Sequence, residues 1–120
     1  MMLSHKELID IANRIDCSPK NTMYFNFAAN FLKNNDIPAD KRVEYLFDTV
    51  KQYSGKARDK SVQLALGKRS SEEKNAEADI KNWCRAFLNN PELKGRSVEE
   101  LGYIMGYCER MTKINNMKRR

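Results

Sequence analysis

Absences narrow this chain before any motif does. No apolar run approaches the roughly 18 residues a membrane-crossing helix needs. Residues 1–16 mix charges where a signal peptide would carry an apolar stretch. A cytoplasmic location and no membrane partner are the expectation. Histidine occurs once, at His5, with no second histidine at metal-ligand spacing. The three cysteines, Cys17, Cys84 and Cys108, are far apart and form no Cys-x-x-Cys pair, so neither a zinc knuckle nor a disulfide framework is suggested. Reduced thiols are expected. Cys84 and Cys108 fall at apolar helix positions as small hydrophobes, and Cys17 lies in a loop as the accessible thiol.

Catalytic signatures are missing too. No phosphate-binding glycine loop, nucleophile elbow or dinucleotide fingerprint is present. The acidic run Glu72, Glu73, Glu77 and Asp79 is accounted for by a helix N-terminus, whose dipole favours negative charge. No enzyme, metal or cofactor is expected. Neither an internal repeat nor a low-complexity linker breaks the 120 residues, a length that suits one domain with a single core. At 41% apolar and 32% charged residues, the chain is too apolar for disorder and charged enough for a solvated surface.

What is present is helix grammar. Ser4–Glu7, Ser70–Glu73 and Ser97–Glu100 each follow Ser-x-x-Glu, the capping box in which serine oxygen and glutamate carboxylate satisfy backbone donors left open at a helix start. Leu3 and Leu8 add the hydrophobic staple of the first box. Leu8, Ile11, Ala12 and Ile15 then recur at helical spacing. A second helix is expected from Ser18 as cap and Pro19 at the first helical position. Its stripe is aromatic, with Tyr24, Phe27, Ala28 and Phe31 on one face and Met23, Phe25 and Leu32 widening it. Val43, Leu46, Phe47 and Val50 mark a third helix, expected to stop near Ser54 and Gly55.

Residues 57–67 fit either period. Val62, Leu64 and Leu66 alternate as a strand would, whereas Ala57, Val62, Ala65 and Leu66 share a helical face ended by Gly67. A lone short strand would have no partner, so a helix is assigned. A fifth helix is expected over 71–88, with Ala76, Ile80, Trp83, Cys84 and Phe87 inward. In the last, Val98, Leu101, Ile104, Met105, Cys108 and Met111 form the inward stripe, with a frayed basic tail from about residue 115. The fold class expected is all-α, a compact bundle of five or six short amphipathic helices in a single domain.

Function has fewer signals, and charge is the strongest. Residues 51–69 carry six cations against one anion, and residues 105–120 carry five against one, within an overall charge of +6. Lys51, Lys56, Arg58, Lys60, Lys68 and Arg69 in the first segment, with Lys113, Lys118, Arg119 and Arg120 in the second, are the candidates for holding a nucleic-acid backbone. The second helix has lysine only at its ends, Lys20 and Lys33, so a base-reading helix there is not expected. Tyr103, Tyr107 and Arg110 form a candidate strip for a protein partner. Gly102 and Gly106, four apart, open one helix face to a close crossing, expected from within the chain; a homo-oligomer through that helix is the other use of the same face. The function these features suggest is a non-enzymatic binding protein, a small basic subunit or adaptor of a nucleoprotein assembly. The alternative is a phage- or plasmid-type regulator or inhibitor that binds a protein target through its basic and tyrosine-bearing surface.

Overall fold

The computed structural model describes residues 3–67 and 76–118, and all regular structure among them is helical. It comprises α1 (His5–Asn13), α2 (Thr22–Leu32), α3 (Arg42–Gly55), α4 (Lys60–Ala65), α5 (Ala76–Asn89) and α6 (Val98–Lys118). Short 3₁₀ turns at Pro19–Asn21 and Ala39–Lys41 lead into α2 and α3. The all-α class expected from the apolar periodicity is the class found.

Two of the three capping boxes lie within the described residues, and both are formed. Ser4 Oγ accepts from the Glu7 N–H at 3.2 Å, and the Glu7 carboxylate accepts from the Ser4 N–H at 3.2 Å. Ser97 Oγ accepts from the Glu100 N–H, and Glu100 Oε1 from the Ser97 N–H, both at 3.1 Å. Glu100 does more than cap α6. Its second oxygen accepts from the Leu3 N–H at 2.9 Å, which fastens the entry of α1 to the start of α6. The box at Ser70–Glu73 and the expected start of the fifth helix lie outside the described residues.

Some helix ends differ from expectation. Ser18 makes no side-chain cap: its hydroxyl and N–H both donate to the Asp16 carboxylate, and Pro19 opens a 3₁₀ turn ahead of α2. A local Asx-type turn outcompetes the cap. α3 does end at Gly55, where expected, but Gly55 has no positive φ; the left-handed glycines are Gly67 (φ 92°), just after α4, and Gly95 (φ 73°) before α6. The last helix continues through Lys118, past the point where fraying is expected, and the Asn115 amide donates to the Cys17 carbonyl at 2.9 Å.

Packing is organised around α6, which lies along α2, α1 and the Pro19–Asn21 turn, while α3 packs on α5. Leu101, Ile104, Met105 and Cys108 are its fully buried positions, and Thr112 continues that face. In α2 the buried stripe is Tyr24, Phe25, Ala28, Ala29 and Leu32. Phe27 and Phe31 sit at its half-buried edge, rotated from the inward position that periodicity suggests. Trp83 of α5 joins the elements, with its ring 5.6 Å from Tyr24, 5.8 Å from Phe25 and 5.2 Å from Phe87. Phe87 in turn meets Phe47 of α3 at 4.8 Å. Fully burying one such side chain is worth about 1.5–3 kcal/mol, so this cluster is a main tie between α2, α3 and α5.

The close crossing expected at Gly102 and Gly106 is not made among the described residues. Among the described residues, a Cβ at Gly102 would meet nothing within 4 Å, and one at Gly106 only the Arg110 guanidinium at 3.7 Å. The apolar stripe of α6 has already taken α1 and α2, which leaves the glycines at the margin of that packing.

Candidate nucleic-acid interface

Between α3 and α4 the chain turns around one small buried residue. Ala57 is 1% exposed, whereas Lys56 and Arg58 on either side of it point to solvent. The turn is closed by the Asp59 N–H donating to the Lys56 carbonyl at 2.9 Å, and by the Gln63 amide donating to the Ala57 carbonyl at 2.9 Å. Lys56, Arg58 and Lys60 are thereby gathered on the outside of one corner, with Lys51 exposed one turn back along α3.

These cations are not equivalent. Arg58 donates to Glu77 Oε1 at 3.0 Å, and Lys81 donates to the same oxygen at 3.0 Å. The two bonds, Lys81 first, hold the Glu77 carboxyl below its ordinary pKa. Arg58 is thus partly neutralised and ties the corner to the start of α5. Lys51, Lys56 and Lys60 make no ion pair among the described residues.

In the second basic segment, Lys113 reaches Glu109 at 3.8 Å, and Lys118 stands exposed at the end of α6. Lys68, Arg69, Arg119 and Arg120 lie outside the described residues. The two segments flank α2. Asn26 of α2 donates to Glu109 beside Lys113, while the next residue, Phe27, packs 5.7 Å from Tyr53 near the end of α3.

That exposed side of α2 carries residues that the sequence reasoning passed over. Asn26, Asn30 and Asn34 recur every four residues and are all exposed, and the Asn30 amide donates to Asn26 Oδ1 at 3.1 Å. They line one wall of a groove whose other wall is Leu64 and Ala65 of α4, with Leu66 and Gly67 just after it. Phe27 and Phe31, with ring centroids 5.8 Å apart, also line it. Lys60 is one turn before Leu64, on the same face of α4, and extends that wall with a cation. The i, i+4, i+8 spacing of the asparagines is a signal in the sequence, overlaid by the stronger apolar period of the same segment.

Of the residues expected to meet a protein partner, two already serve inside the chain. Tyr103 stacks on His5 at 4.9 Å, and the Tyr107 hydroxyl donates to Asn13 Oδ1 at 3.5 Å. Both are half-buried along the α1–α6 seam. Arg110 is exposed one turn further on.

A separate cavity of about 200 Å³ opens beside Trp83, with Phe25, Phe87, Leu93 and Met105 among its apolar lining and Arg14, Lys20 and Asn82 among its polar residues. Arg14 is paired there with Glu92, its Nε donating at 2.9 Å; the bond raises the arginine pKa and lowers that of the carboxyl. Its residues come from distant segments, and no local pattern announces it. Among the described residues no group of three His, Cys, Asp or Glu side chains is placed to hold a metal ion. Nor is any described helix long and apolar enough to cross a membrane. No protein-family model, curated protein or solved structure matches this chain.

Proposed function

We propose that this protein is a non-enzymatic binding protein, a small basic subunit or adaptor of a nucleoprotein assembly, and that it holds a single nucleic-acid strand along the α2–α4 groove. One observation carries the reading: exposed lysines without carboxylate partners among the described residues, Lys51, Lys56 and Lys60, gather at a corner that runs into a groove lined by asparagines and two phenylalanines. Lysine holds phosphates without regard to sequence, asparagine amides bond sugar and phosphate oxygens, and aromatic rings offer faces to unstacked bases. Lys113 and Lys118 extend the positive surface on the far side of α2.

Fluorescence anisotropy of labelled single-stranded and duplex RNA and DNA across a salt series tests this. Submicromolar binding to a single strand is expected, weakening steeply with salt. Replacing Lys51, Lys56 and Lys60 together by glutamate should leave the thermal midpoint unchanged and reduce the salt slope by roughly two units or more. Arg58 is left in place because a glutamate there would face Glu77. No binding at low salt, or an unchanged slope in the triple variant, overturns the proposal.

The second reading, a phage- or plasmid-type regulator that binds a protein target, draws on the open Gly102/Gly106 face of α6. Under it, Gly102→Leu would leave the fold intact and abolish capture of that target. The same variant would reduce self-association if the helix instead meets a second copy of this chain.

A further inference from the structure

The three cysteines differ sharply in surroundings. Cys84 is buried alone among apolar residues, and that burial pushes its thiol up to about 11. Cys17 and Cys108 meet, although 90 residues separate them in sequence. Their thiols interact, each being the largest influence on the ionisation of the other. The loop that carries Cys17 is also held on α6 by its backbone. Cys108, Thr112 and Asn115 follow one another at four and three residues along a single face of α6, and Asn115 is bonded to the carbonyl of Cys17 itself. The loop after α1 is therefore strapped along the face that carries Cys108.

Access is one-sided. Cys17 is half-buried, whereas Cys108 is fully buried. The interaction between the two thiols lowers the pKa of Cys17, against burial and the nearby Asp16 carboxylate, and raises that of Cys108. The Cys108 S–H has two acceptors in reach, the Cys17 sulfur and the Ala12 carbonyl at 3.9 Å. When Cys17 ionises, that proton is available to its thiolate.

We propose that Cys17 and Cys108 are a peroxide-sensitive pair that closes into a reversible disulfide, clamping the loop after α1 onto α6. The Cys17 thiolate attacks one oxygen of hydrogen peroxide. An S–O bond forms and the O–O bond breaks; sulfur loses two electrons to the peroxide, and the departing hydroxide takes a proton to become water. The Cys108 sulfur then attacks the sulfenic sulfur. The S–S bond forms as the S–O bond breaks, and hydroxide leaves with the Cys108 proton as a second water. Two thiols and one peroxide become one disulfide and two waters. A dithiol reductant reverses the result by exchange. Juxtaposition is what allows a buried thiol with a raised pKa to act as the second partner.

The test treats the folded, reduced protein with a modest excess of hydrogen peroxide, blocks remaining thiols by alkylation, and measures intact mass and the non-reduced digest. The expected result is a loss of about two mass units relative to the reduced protein before alkylation. One peptide pair should be joined through Cys17 and Cys108, Cys84 should be alkylated, and dithiothreitol should restore the starting mass. Cys84→Ala should keep the linked peptide, and Cys17→Ser, at a half-buried loop position, should abolish it. Oxygen addition at Cys17 without a linked peptide, or linkage through Cys84, overturns the proposal.

Discussion

Glu100 is 6% exposed, and its carboxylate accepts from the Leu3 and Ser97 N–H groups. Those bonds, Leu3 first, hold its carboxyl below the usual range. A carboxyl with a lower pKa folded than unfolded contributes stability that is fully present above the unfolded value, about 4.3 for glutamate, and is lost as pH falls through the folded value. Glu77 and Glu92 shift in the same direction through their cationic partners. Glu100→Gln should therefore melt below the wild type at pH about 7, and the gap should narrow as pH drops below about 4; melts at several pH values check it. Glycines divide in the same residue-level way. Gly67, at φ 92°, holds a backbone that other residues resist, so Gly67→Ala should cost about 1 kcal/mol. A Cβ at the helical Gly102 would meet nothing within 4 Å among the described residues, so Gly102→Ala should stabilise by about 0.5–1 kcal/mol in urea unfolding.

Among elements, the two serines read as caps separate cleanly. Ser97 is engaged in its box at the start of α6, and Ser97→Ala should lose about 1 kcal/mol. Ser18 bonds Asp16 and caps nothing, so Ser18→Ala should lose less in the same denaturant titration. Both sequences suggest a cap; only the first continues with a glutamate that locks the arrangement. At α5 the tie to its neighbours is Trp83, wedged among Tyr24, Phe25 and Phe87. Trp83→Ala should cost about 3–5 kcal/mol, because the rings around it cannot close over so large a gap. As the only tryptophan, it also reports unfolding by its own fluorescence in the wild type. The α4 assignment turned on a tertiary argument at the sequence level: a lone strand has nothing to pair with. Its buried positions, Val62 and Leu66, are four apart as a helix requires, while Leu64 is 54% exposed.

For the molecule as a whole, charge is distributed by function of place. Arg14, Lys41, Arg58, Lys81 and Lys113 each have a carboxylate within 4 Å, and in every pair the cation is exposed, so they add little stability. Lys51, Lys56 and Lys60 are exposed and have no carboxylate partner among the described residues. This is why the triple lysine variant should change binding and leave the thermal midpoint where it is. The basic segments were legible as runs of letters. Their arrangement on either side of α2, and the asparagine stripe between them, were not, because each depends on how α3, α4 and α6 are placed around α2.

Sequence by itself determined the helical class, two of the helix starts and most inward positions of α1, α3, α5 and α6. Those features are local: a capping box closes over four residues, and an apolar stripe repeats within two turns. Tertiary structure alone decided the rotation of α2, which carries Phe25 inward and leaves Phe27 and Phe31 on the groove. It decided too that Gly102 faces no other helix among the described residues, and that Cys17 meets Cys108. A rotation of one helix by part of a turn exchanges its core and its surface residues while leaving the apolar period the same. Only the neighbours it packs against select among those rotations.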